Sequence, residues 1–289
     1  MRILNYLCAI TLFVFFISCK KNDSSGNVPV EANTYLNVSY GTDAAQKMDV
    51  YLPAGRSTNS TKLMIMIHGG GWTSGDKSDF TQYVDTMKRR MSEYAIININ
   101  YRLSANPNNL FPTQENDVKA ALDFIYSKRA EYLISDKFVL IGASAGGHLA
   151  MLQAYKYSAP VKPKAVVDFF GPSDLTDMFN NPVGGNALLS LTLAAAIGKT
   201  PTQDPLIYSN SSPVNFITNS SAMPTIILQG GVDPLVSPTQ SVAVKAKLSI
   251  SGITNQYVFY PTGGHGDWNN ATYFDAFNNI EAFLRVNVP

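Results

Sequence analysis

Phe138-Val139-Leu140-Ile141-Gly142-Ala143-Ser144-Ala145-Gly146 decides how the rest of the chain is read. A short continuous apolar run suits a strand buried on both faces, as strands of parallel sheets are. Helical spacing follows it over residues Ser144 to Tyr157. Strand, sharp turn and helix in succession force the residue at the turn into strained backbone angles, and bulky neighbours would collide there. Glycine two residues before Ser144 and two after it meets that demand. The turn lifts the serine hydroxyl above the sheet, at a helix N-terminus that favours negative charge. The segment therefore predicts a nucleophilic serine rather than a solvated serine at a glycine-rich strand end.

Working outward, similar apolar runs occur at Leu63 to Ile67, Ala95 to Ile99, Ala165 to Phe170, Thr225 to Leu228 and Tyr257 to Tyr260. Helical patterns lie between or after them, at Thr113 to Arg129, Ser237 to Ser251 and Asn270 to Val286. Alternating strands and helices predict an α/β fold, with a mostly parallel central sheet covered by helices on both faces. Tyr35 to Tyr40 and Gln46 to Leu52 alternate apolar and polar residues around Gly41-Thr42-Asp43, which predicts an antiparallel edge. Residues 174–223 break the rhythm with several prolines and an apolar helical piece from Ala187 to Ile197. That length predicts a small cap-like insertion over the strand ends, where such sheets bind ligands.

A serine hydroxyl needs a base, and the chain has three histidines. His68 belongs to the glycine loop His68-Gly69-Gly70-Gly71-Trp72, and His148 sits one turn into the helix after Ser144. His265, in the loop Pro261-Thr262-Gly263-Gly264-His265-Gly266 after the last strand, remains as general base. A carboxylate on a neighbouring strand end should orient it, and Asp233 and Asp174 both follow strands. Acyl transfer concentrates negative charge on a carbonyl oxygen, and backbone N–H groups of Gly70, Gly71 and Ala145 are the candidate oxyanion donors. Trp72 either packs that loop or lines the substrate pocket, and is carried as a substrate-binding candidate. Arg102 and Asp117 read as an ion pair holding the loop after Tyr101. Tyr273, Phe274, Phe277 and Phe283 read as the core stripe of the last helix.

Several motifs in one order carry a family resemblance: His68-Gly69-Gly70-Gly71-Trp72 with Ser74-Gly75-Asp76-Lys77, then Asn100-Tyr101-Arg102-Leu103, then the serine turn with Gly147-His148. From about Met48 onward the chain resembles the hormone-sensitive-lipase-like carboxylesterase branch of the α/β-hydrolase fold. The resemblance implies a serine esterase similar to bacterial acetylxylan and feruloyl esterases, working through an acyl-enzyme without a cofactor or metal. It places the histidine in the loop of His265 and favours Asp233 as the acid, because Gln229-Gly230-Gly231-Val232-Asp233-Pro234-Leu235-Val236 resembles the family's H-G-x-x-D-x-x-V. Gln229 stands where that pattern has histidine. The implied substrates are short-chain or carbohydrate-linked acetyl and feruloyl esters. The glycine loop also resembles that of arylformamidases, so cleavage of an aryl formamide is a second reading. A catalytically silent binding module of the same fold is a third.

The N-terminus reads separately. Residues 1–18 have a basic start at Arg2, an apolar run from Tyr6 to Ile17 and a small Ser18, the pattern of an export signal peptide. Phe16-Ile17-Ser18-Cys19 resembles a lipobox, which implies lipidation of Cys19, a flexible tether over residues 19–33 and the hydrolase domain over 34–289. The expected location is the cell envelope, as a membrane-anchored lipoprotein facing the periplasm or the surface. Cys8 and Cys19 are the only cysteines, so the domain has no thiol chemistry. A formal charge of +1 argues against nucleic acid as a partner, which would require a clustered positive field. The expected partners are thus a small-molecule or oligosaccharide ester and a lipid anchor.

Overall fold

In the computed structural model residues 30–289 are described. The expected signal peptide, Cys19 and most of the expected tether lie outside them. Eight strands form one sheet: β1 (Asn33–Ser39), β2 (Lys47–Leu52), β3 (Lys62–Ile67), β4 (Tyr94–Ile99), β5 (Phe138–Ala143), β6 (Ala165–Phe169), β7 (Thr225–Gly230) and β8 (Asn255–Tyr260). Their spatial order is β1-β2-β4-β3-β5-β6-β7-β8. β2 pairs antiparallel with both β1 and β4, and every other pairing is parallel.

Successive side chains of a strand point to opposite faces, and the buried residues sort accordingly. Leu63, Ile65 and Ile67 of β3 join a core with Val118, Leu149 and Val244, which belong to α2 (Thr113–Lys128), α3 (Ala145–Lys156) and α7 (Pro238–Ile250). Met64 and Met66 face the other way, onto Val84 and Phe277 of α1 (Thr81–Arg90) and α8 (Asn270–Asn287). Both faces of the central strands are thus covered. Burying a side chain of this size contributes roughly 1.5–3 kcal/mol, and β4, with all six residues buried, gains that on both sides.

Several boundaries and roles differ from the sequence expectation. β8 reads in sequence as a strand buried on both faces, yet it is the sheet edge, half-buried, with Phe259 44% exposed. An apolar run shows hydrophobicity but not how many neighbours a strand acquires. Phe274 does not belong to the core stripe of α8: it is 64% exposed, beside the Arg90 guanidinium at 5.1 Å. Ala276, Phe277, Ile280, Phe283 and Leu284 form the buried face instead. α1 has no counterpart in the sequence reading, because in its ten polar-rich residues only Val84 and Met87 are buried.

Residues 174–223 hold three short helices, α4 (Leu175–Asn180), α5 (Ala187–Ile197) and α6 (Pro205–Asn210), where the sequence pattern shows one. Asp174, Asn186 and Asp204 cap them by accepting from the backbone N–H of Asp177, Leu188 and Ile207. No helix among the described residues is long and apolar enough to cross a membrane.

Candidate active site

The parallel register brings the relevant strand ends to one rim. Ala143 pairs with Phe169, and Gly230 pairs with Tyr260, so Ser144 lies beside Phe170 and the loop holding Asp233 lies beside the loop holding His265. Ser144 occupies the turn between β5 and α3 at φ 56° and ψ −123°, a region that non-glycine residues seldom adopt. Its N–H donates to the Phe169 carbonyl at 2.8 Å, and its carbonyl accepts from His148 N–H at 3.0 Å. The turn is tight enough that a Cβ on Gly142 would lie 2.2 Å from the Gly146 carbonyl oxygen. A Cβ on Gly146 would lie 2.0 Å from that of Ile67.

The Ser144 hydroxyl lies 2.9 Å from His265 Nε2, and His265 Nδ1 lies 2.7 Å from Asp233 Oδ2. An ionised carboxylate can only accept, so Nδ1 carries the proton and Nε2 is left to take the one from Ser144. Asp233 is itself held: Oδ1 accepts from the N–H groups of Leu235 at 2.8 Å and Val236 at 2.9 Å. Gln229 Nε2 donates to Asp233 Oδ2 at 3.3 Å, while Gln229 Oε1 accepts from the Ser241 hydroxyl at 2.8 Å. The residue that departs from the family pattern thus anchors the acid through its own amide. Asp174, the other candidate acid, caps α4, and its N–H donates to Gln240 Oε1 at 2.7 Å.

The glycine loop runs beside Ser144 at the end of β3. Gly70 adopts φ 103° and closes a turn in which its carbonyl accepts from the N–H groups of Thr73 and Ser74, so only glycine fits there without strain. The N–H groups of Gly70, Gly71 and Ala145 donate to no backbone carbonyl among the described residues, and all three residues border the cleft above Ser144. The Asn100-Tyr101-Arg102 motif holds the loop from beneath. The Tyr101 hydroxyl reaches the carbonyls of His68 and Gly69, both at 3.1 Å, and its ring stacks on His68 at 4.3 Å. Asn100 Nδ2 donates to Asp76 at 2.6 Å. Arg102 binds the buried Asp117 carboxylate through Nε and Nη2, which also accepts from Arg102 N–H and Gln46 Nε2.

Trp72 is 3% exposed and does both things considered for it: one side borders the cleft, and its indole N–H donates to His148 Nδ1 at 3.2 Å. His148 Nε2 donates in turn to the Ser211 carbonyl at 2.7 Å, tying the glycine loop to the end of the 174–223 segment. With both ring nitrogens committed, the imidazole is held neutral, and burial pushes its pKa down to about 4. An unfolded histidine titrates near 6.5 and so binds its proton first as the pH falls. The His148 contribution to folding stability is therefore fully present above that value and is lost progressively as the pH drops toward 4, a change on the order of 3 kcal/mol. His148→Gln should flatten this slope by about one proton in thermal melts between these limits; an unchanged slope would assign the effect elsewhere.

The cleft has a volume of about 540 Å³. Gly71, Trp72, Met178, Leu189, Leu193 and Leu235 form much of its wall, Asp79 supplies its acidic side chain, and no lysine or arginine lines it. Among the described residues no group of three or more His, Cys, Asp or Glu side chains is placed to hold a metal ion.

The sheet order, the strained serine turn and the rim on which the loops converge define an α/β-hydrolase. Residues 48–248 match the BD-FAE family, and the chain belongs to it. It is similar to the esterase LipC of Mycobacterium tuberculosis, with 24% identity across 79% of this chain and 59% of that protein. It is 32% identical to the kynurenine formamidase avaC of Aspergillus versicolor over 41% of this chain and 46% of that one. A truncated carbohydrate esterase from gut microbiota superposes with a TM-score of 0.75 at 26% identity, covering 90% of this chain and 97% of that one. The chain spans about half to three-fifths of the length of the mycobacterial esterases it matches.

Proposed function

We propose that the protein is a serine carboxylic-ester hydrolase that works through an acyl-enzyme. The observation that carries this reading is the unbroken relay from the Ser144 hydroxyl through His265 to Asp233, at 2.9 and 2.7 Å, beside backbone N–H groups left without a backbone acceptor. Ser144 Oγ attacks the ester carbonyl while its proton passes to His265 Nε2. The carbonyl oxygen, now negative, receives hydrogen bonds from Gly70, Gly71 and Ala145, each contributing about 3 kcal/mol in the transition state. His265 returns the proton to the departing alcohol, and water, activated by the same imidazole, releases the acid. Asp233 holds the tautomer and stabilises the transient imidazolium.

The substrate is a neutral ester, in keeping with a cleft wall that has no lysine or arginine. The likeness to a carbohydrate esterase supports acetyl or feruloyl groups on carbohydrate as its class. Cleavage of an aryl formamide is the second reading, favoured by the likeness to a kynurenine formamidase. Export through residues 1–18 and lipidation of Cys19 complete the proposal, with the enzyme acting at the cell envelope. Turnover of p-nitrophenyl acetate, acetylated xylan, feruloylated xylan and N-formylkynurenine separates these readings. The ester reading expects kcat/KM for an ester to exceed that for the formamide by about 100-fold. A preference for the formamide would transfer the assignment, and no turnover of any of them would leave a silent binding module.

A further inference from the structure

We infer that Phe170 is a specificity-determining wall that confines the acyl group to a small one, and that a second, aromatic cavity lies directly behind it. The inference rests on the ester-hydrolase reading of the site and narrows its acyl class, keeping acetyl and excluding feruloyl. Phe170 follows β6 at φ 43°, a left-handed conformation that a bulky residue rarely adopts. Its N–H is fixed to the Leu228 carbonyl at 2.9 Å, and its ring sits 4.5 Å from the His265 ring and 5.4 Å from Trp268. The backbone is therefore pinned so that this ring stands beside the imidazole. Strain of this kind persists where the surrounding structure enforces it, and it clusters at functional sites.

On one side of Phe170 and Ala143 is the open cleft above Ser144. On the other is a small cavity of about 30 Å³, lined by Phe80, Tyr83, Ile141, Tyr273 and Phe277 between the sheet, α1 and α8. Ala143 and Phe170 border both spaces. The two parts of an ester have different needs at such a site. The alcohol departs first and must reach solvent, so it belongs in the open cleft, which also admits a polymer. The acyl group stays bonded to Ser144 Oγ until water attacks, so its space is the one bounded by the residues next to Ser144. An acetyl group needs no more than that, whereas a butyryl or aryl acyl group requires the volume that the Phe170 ring itself fills, together with the small cavity behind it.

The test compares kcat/KM for the p-nitrophenyl esters of acetate, butyrate and benzoate in the unaltered protein, Phe170→Leu, Phe170→Ala, and Phe170→Leu combined with Phe277→Trp. The unaltered protein should rank acetate first. Phe170→Leu, which keeps an apolar core side chain, should raise the butyrate-to-acetate and benzoate-to-acetate ratios by about tenfold or more. Phe170→Ala should raise them further, and Phe277→Trp, by taking up the space that Phe170→Leu opens, should restore the original ranking. Because Phe170 touches His265, all three variants are expected to lose absolute rate on every ester, and the ratio carries the test. Benzoate turnover equal to acetate in the unaltered protein, or ratios unchanged in folded Phe170 variants, would overturn the inference while leaving the hydrolase reading intact. Absence of turnover of all three esters in the unaltered protein would overturn both.

Discussion

Ser144→Ala is expected to lower kcat for p-nitrophenyl acetate by about 10,000-fold to a million-fold, with the melting temperature within a few degrees of the parent. The size of the effect follows from where the hydroxyl stands. It is the group within 2.9 Å of His265 Nε2, and the backbone around it is fixed by the Phe169 carbonyl and by His148 N–H, bonds that alanine retains. The variant thus keeps the turn, the cleft and the glycine loop, and loses only the oxygen that serves as nucleophile in the proposed mechanism. Residual rate in such a variant reflects binding and the oxyanion donors alone. Adding His265→Ala to it should cost almost nothing more, because a base with no nucleophile to deprotonate has lost its task. Additive losses in the double variant would mean that the two residues act in separate steps.

Asp233→Asn carries the second-largest expected effect, a loss of about 1,000- to 10,000-fold in kcat. Asparagine fits the space and can keep the hydrogen bonds from Leu235 and Val236 through its carbonyl oxygen. Its amide group, however, would face His265 Nδ1 as a donor. The imidazole then favours the tautomer protonated on Nε2, which presents a hydrogen to Ser144 instead of a lone pair. Asp174→Asn should stay within about threefold of the parent, since Asp174 serves as a helix cap. The reverse pattern, with Asp174→Asn crippled and Asp233→Asn active, would reassign the acid to the end of β6. Steady-state kinetics on both variants decides the matter.

Local backbone rules explain which parts of this molecule can be read from its sequence. The turn at Ser144 is legible because its geometry admits almost nothing but glycine at 142 and 146, so the constraint is written into adjacent residues. His265 is legible through scarcity, with only three histidines in the chain and the other two committed by position. The central strands are legible because burial on both faces makes them uninterrupted apolar runs.

What escapes the sequence depends on partners distant along the chain. Nothing local to Phe259 shows that β8 ends the sheet, and nothing local to Phe274 shows that Arg90 meets it outside the core. α1 is hidden because two buried residues make no stripe, and α4 and α6 because six-residue helices carry less than two turns of pattern. The bridge from Trp72 through His148 to Ser211 and the placement of Phe170 against His265 join segments far apart in sequence. Hydrogen-bond partners of that kind leave no spacing rule behind them.

The proposed mechanism requires a covalent bond between substrate acyl carbon and Ser144 Oγ. Mixing the protein with excess p-nitrophenyl acetate, quenching with acid at short times and sequencing the digest by mass spectrometry measures that bond directly. One acetyl group on Ser144, formed as fast as the first equivalent of p-nitrophenol appears and absent in His265→Ala, is the predicted result. Steady release of p-nitrophenol with Ser144 never acetylated, or with the acetyl group on another residue, would contradict it.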